Sequence, residues 1–380
     1  MKRSLRSLDG ALAPLLLLTT LLAPLLAFAQ SGSKPKATPP AAAGGLSVST
    51  GSTAPPLGAK AAEIQDVRVL AGKEEKDPYQ FERLGVTFAQ NGDLAKARES
   101  FEKAWKVGAL PSAPFNIACL DVRQGKGDAA FQQLDRAIAA GFDDEKMLQS
   151  DKDLEAIRSK PKFQTIVAAA RKNAAAGDAA VVKDATFVAP NGPATAILLL
   201  LHDASSDPLA VASPFLAQAR EKGLFVAAPR GPARAGKKRF GWGSPERAIA
   251  AASAAILEAR KRAGNLPVLA VGVGRGGMVA GFIAATQPGV LAGAATIGGP
   301  FDLAWIRSES SAAALKQTRL FLGVSLGASP QVVQAFRRGR DGLKGAGVQV
   351  GYREWIGDGP GLPADVKGAV GEVLAALMGR

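Results

Sequence analysis

Residues 268–285 read VLAVGVGRGGMVAGFIAA, and this stretch decides the fold predicted for the chain. It opens with an apolar run of strand length, turns through the glycines between Gly272 and Gly277, and continues with small and apolar residues that are typical of a helix. The pattern predicts a strand, a tight turn and a helix in succession. Two chemically different sites share this outline, so the residues of the turn have to distinguish between them.

The first possibility is a dinucleotide-binding turn, because Gly272, Gly274 and Gly277 spell G-x-G-x-x-G. In such a site the glycines follow the first strand of the domain, and an acidic residue ends the next strand about 20 residues later. Here two strand-like runs come earlier, at 198–202 and 225–228, and the next predicted strand ends in glycines. The residues therefore disfavour a nucleotide-binding oxidoreductase, and no cofactor is predicted.

The turn also resembles the nucleophile elbow of the carboxylesterase and phospholipase-like α/β-hydrolases. There the pattern G-F-S-x-G-G-M lifts a serine above the sheet at a helix N-terminus. This chain reads GVGRGGM from Gly272 to Met278, and Gly274 stands where that family has its nucleophile. Since the elbow residue has a positive φ, which glycine adopts without penalty, the resemblance implies a turn that keeps its shape and lacks its nucleophile.

The other positions of the catalytic triad also differ from the family. The chain has one histidine, His202, which lies upstream of the elbow, where the family carries the His-Gly of its oxyanion loop. The resemblance places Ala328 at the position of the acid, with Ser329 beside it, and Pro360 at the position of the catalytic histidine. Asp358 is close to that position, but a carboxylate is a poor general base. No catalytic residue is therefore predicted.

The backbone amides that would stabilise negative charge at the site are expected to remain although the catalytic triad is absent. The amides of Arg275 and Gly276 should point out of a helix N-terminus, and Asp203 or Ala204 should supply a second amide of an oxyanion hole. The resemblance thus implies a pocket for a small anionic or acyl ligand. The residues predicted to bind that ligand are His202, Asp203, Gly274, Arg275 and Gly276.

Four parts are predicted along the chain. Residues 1–29 have the basic start, apolar stretch and A-x-A end of a secretory signal peptide. Residues 30–75 are rich in Ala, Gly, Pro and Ser, which predicts a disordered linker. Residues 76–175 should form a helical module. Residues 183–380 alternate strand and helix patterns, which predicts an α/β fold with an α/β-hydrolase-like, mostly parallel sheet.

The helical module contains an internal repeat. Leu84, Phe101 and Gly108 recur 33 positions later as Ile117, Leu134 and Gly141. A period of this length, with small residues where paired helices cross, resembles tetratricopeptide repeats. The resemblance implies either a groove for a protein or peptide partner or a structural module docked on its neighbour.

Composition excludes several classes of function. The chain has 47 Lys and Arg against 33 Asp and Glu, a net charge of +14, which favours anionic surfaces in general. Nucleic acid is disfavoured because the charge is not interleaved with aromatic residues. One cysteine cannot form an intramolecular disulfide, and one histidine excludes the usual zinc spacings, so no metal site is predicted. The basic residues between Arg230 and Arg239 could guide an anionic ligand or could form a solvated loop.

These observations together favour an exported pseudo-hydrolase that acts as a non-catalytic binding or assembly protein. The alternative is an active esterase or thioesterase with an unconventional site. A periplasmic or secreted location follows from the predicted signal peptide, and no integral membrane span is predicted in the mature chain.

Overall fold

The structure, a computed structural model, describes residues 78–306, 309–357 and 361–379. The predicted signal peptide at 1–29 and the linker at 30–75 lie outside these residues and stay predictions. Within the described ranges, no helix combines the length and the apolar character that crossing a membrane requires.

The first part of the described chain is entirely helical, as predicted for the N-terminal module. Asp93 accepts a hydrogen bond from the backbone N–H of Lys96 and so caps the second helix, while Ala109 ends that helix in the left-handed conformation. A Cβ built at Gly85 would overlap the ring of Phe101, so glycine allows the first two helices to approach closely. The helices are α1 (Pro78–Gln90), α2 (Leu94–Gly108), α3 (Ser112–Arg123), α4 (Gly127–Ala139), α5 (Glu145–Ser150), α6 (Glu155–Arg158) and α7 (Pro161–Ala180).

The second part is built on a seven-stranded sheet in the order β1-β3-β2-β6-β7-β8-β9, within the residues that the structure describes. β1 runs antiparallel to β3, and the other neighbouring pairs are parallel. The strands are β1 (Thr186–Val188), β2 (Ala196–Leu201), β3 (Leu224–Ala228), β6 (Val268–Val273), β7 (Gly293–Ile297), β8 (Arg319–Ser325) and β9 (Val350–Trp355). A short hairpin of β4 (Ala233–Arg234) and β5 (Phe240–Gly241) lies outside this sheet.

Helices cover both faces of the sheet, which is why its central strands are continuous apolar runs. In β2, Ile197 and Leu199 join one hydrophobic core, while Leu198 and Leu200 join the core on the opposite face. Full burial of each of these side chains contributes about 1.5–3 kcal/mol of hydrophobic free energy. The helices of this part are α8 (Pro208–Ala212), α9 (Leu216–Glu221), α10 (Pro245–Ala263), α11 (Arg275–Thr286), α12 (Glu309–Lys316), α13 (Pro330–Gly345) and α14 (Val366–Met378).

The predicted fold class is confirmed by this arrangement. The chain has an α/β-hydrolase-like, mostly parallel sheet, and it has an all-α module before that sheet. The tetratricopeptide resemblance of the module rests on the sequence period and stays a prediction.

The helical module packs against the α/β domain through an arginine. Arg247 in α10 donates hydrogen bonds to the carboxylates of Asp143 and Asp178, both at 2.9 Å. It also donates to the backbone carbonyls of Ala174, at 3.2 Å, and Pro232, at 3.3 Å. One side chain therefore connects the loop after α4, the helix α7 and the loop after β3.

Candidate functional site

The turn between β6 and α11 has the geometry expected of a nucleophile elbow. Gly274 has φ +52° and ψ −120°, a conformation that side-chain-bearing residues rarely adopt. Its N–H donates to the carbonyl of Ile297 in β7 at 2.7 Å, which ties the turn to the neighbouring strand. A Cβ at Gly276 would overlap the backbone carbonyl of Leu201, so the turn also needs this second glycine for a close approach to β2.

The space above Gly274 is filled by the side chain of Asp203. A Cβ built at Gly274 would overlap both carboxylate oxygens of Asp203. Oδ1 of that carboxylate accepts hydrogen bonds from the backbone N–H of Arg275, at 2.8 Å, and of Ala204, at 2.6 Å. Burial lowers the pKa of the Arg275 guanidinium, and the nearby Asp203 carboxylate opposes that effect. An anion from this chain thus occupies the place of the nucleophile.

This arrangement differs from the predicted ligand pocket. The sequence predicted that Arg275, Gly276 and either Asp203 or Ala204 donate amides to a bound ligand. In the structure the amides of Arg275 and Ala204 both donate to Asp203. The residues predicted around the elbow do come together, but the Asp203 carboxylate accepts two of the amides, those of Arg275 and Ala204. The sequence showed that Asp203 follows the strand, and it did not show which way the side chain turns.

His202, the residue before Asp203, is enclosed by neighbouring protein groups. The ring is fully buried and stacks on Trp242, with 4.8 Å between ring centroids. Its Nε2 accepts a hydrogen bond from the N–H of Gly231 at 2.9 Å, and its Nδ1 lies 2.6 Å from the carbonyl oxygen of Asp203. Nδ1 therefore carries the proton, and backbone groups occupy both ring nitrogens. Burial lowers the pKa of His202 to about 4, so the ring stays neutral.

The ring of His202 therefore contacts backbone groups through both nitrogens, and its predicted role in binding a ligand stays a prediction. Through Gly231 it joins the strand end of β2 to the loop after β3. Trp242 Nε1 donates to the His202 carbonyl at 2.8 Å and fixes the same segment from the other side. These contacts hold the backbone from which the Asp203 carboxylate reaches Gly274.

The predicted position of the catalytic acid lies in the hydrophobic core. Ala328 is buried and packs with the helices on one face of the sheet. Its neighbour Ser329 caps α13, where its Oγ accepts from the N–H of Val332 at 3.4 Å. Asp358 and Pro360, the residues assigned to the region of the catalytic histidine, lie outside the described residues.

Ser205 is the serine nearest to this site in sequence, and its geometry does not suit a nucleophile. It is buried, and its hydroxyl donates to the carbonyl of Ala235 at 3.3 Å. The one histidine of the chain has both ring nitrogens bonded to backbone groups, so it cannot accept the proton of this hydroxyl.

The basic loop at 230–239 contacts the helical module. Arg230 donates to the Asp184 carboxylate at 2.9 Å and to the carbonyl of Gly177 at 3.1 Å. Its guanidinium also lies 4.3 Å from the ring centroid of Phe240. Tyr79 in α1 donates its hydroxyl hydrogen to the carbonyl of Ala235 at 3.1 Å. The sequence suggested that this loop either guides an anionic ligand or is solvated. In the structure the loop joins the two parts of the protein.

Sequence reasoning did not find a group of possible metal ligands in the helical module. Cys119, Asp151 and Asp153 place their ligand atoms within 4.8 Å of one another. Burial raises the pKa of the Cys119 thiol, with further contributions from the two carboxylates. A thiol must lose its proton to bind a metal, so this environment favours a buried thiol over a thiolate ligand. The two aspartates are far from the cysteine in sequence, and no spacing motif marks the group.

Comparisons with known proteins give limited similarity. No protein-family model matches the chain. Among curated proteins, a stretch of 112 residues is 31% identical to a chloroplastic protein of Arabidopsis thaliana, and it covers 28% of this chain and 33% of that protein. The match therefore spans about a third of the length of this relative.

Two solved structures overlap with parts of this chain. An uncharacterized protein from Bacillus cereus ATCC 10987 has a TM-score of 0.44 and 13% identity, and the match covers 78% of this chain and 97% of that one. Esterase PE8 has a TM-score of 0.44 and 17% identity, with 51% of this chain and 99% of that chain covered. Because the TM-scores and the identities of both structures are low, the fold assignment rests on the strand order given above and not on these similarities.

Proposed function

We propose that this protein is a non-catalytic binding or assembly protein built on an α/β-hydrolase-like domain. The observation that carries the proposal is the Asp203 carboxylate, which accepts the Arg275 amide and fills the space above Gly274. Ester hydrolysis builds negative charge at the carbonyl oxygen in the transition state, and amide donors stabilise that charge. A fixed carboxylate at this place would repel the same charge, and it already uses the amide.

The same contact changes the proposed mode of ligand binding. A small anionic or acyl ligand at the elbow would have to displace the Asp203 side chain from two backbone amides. Binding of a protein or peptide partner by the helical module does not require this displacement. We therefore place the proposed partner contact on the helical module, with the α/β domain as the body on which the module is held. Export to the periplasm or the medium remains part of the proposal.

The alternative function is that of an esterase or thioesterase with an unconventional site. It requires a nucleophile with a base within hydrogen-bonding reach. Ser205 donates its hydroxyl hydrogen to a backbone carbonyl, and both ring nitrogens of His202 are bonded to backbone groups. The geometry of the described residues therefore favours the non-catalytic function.

Hydrolysis of an activated aryl ester tests the proposal. The native protein is expected to give the rate of a heat-inactivated sample. Gly274→Ser is also expected to be inactive, and it should lower stability because its Cβ would overlap Asp203 and its φ would be strained by about 1–3 kcal/mol. The double variant Gly274→Ser with Asp203→Gly removes the overlap, so it should regain part of this stability and still lack activity.

A matched pair of serine variants tests the alternative function, that of an esterase or thioesterase. Ser205→Ala removes the buried hydroxyl near the elbow, whereas Ser213→Ala removes an exposed hydroxyl that is bonded to the carbonyl of Leu209. If the native protein hydrolyses the ester, and Ser205→Ala abolishes the rate while Ser213→Ala does not, the protein is an enzyme and the proposed function is wrong.

A further inference from the structure

A second site is suggested by a pocket at the opposite edge of the sheet from Gly274. The pocket has a volume of about 300 Å³ and lies at the amino ends of β6, β7 and β8, where Val268, Ala292 and Thr318 form part of its wall. This volume is at the lower end of the range for small-molecule sites. A ligand here would bind at a distance from the elbow, so the site does not depend on the proposed function.

Arg260 brings the charge to this pocket. It is the one charged residue among those that line the pocket. Its Nε is buried and has no hydrogen-bond partner among the described residues. In contrast, Arg262, two residues later in α10, pairs with Glu258 at 2.9 Å and lies over the ring of Phe187. The Nε is out of reach of a ligand in the pocket, so the terminal Nη groups are the donors that this guanidinium can offer there.

The other lining groups restrict the kind of acceptor. Thr318 uses its hydroxyl in contacts with the carbonyls of Leu291 and Ala314, at 3.4 and 3.2 Å. Gln317 is exposed at the rim and can donate through its side-chain amide. No carboxylate of the described residues lines the pocket, so an anion would meet no negative charge in the lining.

Apolar side chains complete the lining beside Arg260. Pro267, Val290 and Leu291 each contribute to the wall, next to the guanidinium. An anion that is only a charged group would leave this surface in contact with water. A ligand with a charged head and a short hydrocarbon part would cover both surfaces and would release that water.

We propose that this pocket binds a small organic carboxylate. The carboxylate accepts hydrogen bonds from the terminal Nη groups of the Arg260 guanidinium and from the Gln317 side chain at the rim. The hydrocarbon part lies against Pro267 and Val290. Arg260 is suited to this role because a planar guanidinium matches a carboxylate with two parallel hydrogen bonds.

Isothermal titration with butyrate tests the site on the full-length protein. Butyramide has the same shape without the charge, and inorganic phosphate has charge without the hydrocarbon part. Butyrate is expected to bind saturably, and butyramide to bind at least about tenfold more weakly. Arg260→Gln should weaken butyrate binding by a similar factor of about ten or more, and Arg260→Lys by less.

Arg262→Gln is the matched control, since it removes an arginine from the same end of α10 without touching the pocket lining. It should leave butyrate binding unchanged. The melting temperatures of the variants show whether each has folded. The proposal is overturned if butyrate does not bind saturably, or if Arg260→Gln binds it as tightly as the native protein. Binding of phosphate without binding of butyrate would also overturn it, because the hydrocarbon part would then play no role.

Discussion

Gly274 and Asp203 depend on each other through space and through charge. The carboxylate fits above the turn because residue 274 has no Cβ, and the helix N-terminus supplies the Arg275 amide that the carboxylate accepts. A change at either residue therefore alters the environment of the other. This coupling explains how a turn shaped for a nucleophile remains stable when the nucleophile is absent.

His202 should make the stability of the protein depend on pH. Burial lowers its pKa from the ordinary value of 6.5 to about 4, so between these values the unfolded chain binds a proton that the folded protein does not. Stability is then fully present above about pH 6.5 and is lost as the pH falls. Urea unfolding should show a loss of about 2 kcal/mol between about pH 7.5 and pH 5 from this residue alone.

A variant separates this effect from the titration of carboxylates. His202→Gln is expected to be less stable at about pH 7.5, because it loses the stacking on Trp242, and it should show a smaller decrease toward pH 5. If the native protein and the variant lose the same free energy of unfolding over this range, His202 is not the buried neutral group that the structure shows.

At the scale of single residues, the sequence predicted which catalytic groups are missing better than it predicted which groups occupy their places. The absence of a serine at position 274 and of a second histidine can be read directly. The position of the Asp203 carboxylate depends on the path of the loop after β2, which no local pattern encodes. The pairing of His202 Nε2 with the Gly231 amide likewise depends on a loop 29 residues further along the chain.

Two arginines connect the elements that hold the site. Arg230 extends from the loop after β3 to Asp184 and to the carbonyl of Gly177 at the end of α7. Arg247 extends from α10 to Asp143 and Asp178. The same loop also contains Gly231, which bonds to His202, so contacts with the helical module extend to the segment that carries Asp203.

Replacing Arg247 should therefore destabilise the protein. Asp143 is mostly buried, and burial already raises the pKa of its carboxyl, which Arg247 counteracts. Arg247→Ala leaves that carboxylate without its cation and removes one donor from each of two backbone carbonyls, at an expected cost of about 3 kcal/mol. Urea unfolding at neutral pH measures the change.

Arg262→Ala provides the comparison on the same helix. Its pair with Glu258 is partly exposed and its guanidinium covers Phe187, so its loss should cost clearly less than the loss of Arg247. Equal losses for Arg247→Ala and Arg262→Ala would mean that Arg247 makes no special contribution to the contact between the module and the sheet.

The order of elements was predictable, whereas their contacts were not. Alternation of apolar strand patterns with helical patterns predicted the parallel sheet, and the repeat predicted paired helices, because both signals are local in sequence. The partners of Arg247 lie 69 and 104 residues away from it. A loop rich in arginine and lysine therefore looked like a surface for ligands or water until its distant partners were known.

At the scale of the whole molecule, the helical module contacts the loop at 230–239, which is bonded to His202. The Tyr79 hydroxyl and the Ser205 hydroxyl both donate to the carbonyl of Ala235. A Cβ at Gly236 would come close to the carbonyl of Gly108 at the end of α2, which shows how closely the module and the loop approach. The module thus contacts the loop that is bonded to His202, and the two parts of the chain are expected to stabilise each other.

Separate production of the two parts tests this dependence. Residues 76–180 alone are expected to melt at a lower temperature than the full chain, because Asp143, Asp178 and the carbonyl of Gly177 lose their arginine partners. Circular dichroism at increasing temperature measures the difference. Adding the separate part 183–380 should raise the melting temperature again, and Arg247→Ala in that part should weaken this effect while Arg262→Ala should not. A module that melts alone at the temperature of the full chain would show that its contacts with the sheet domain contribute nothing to its stability.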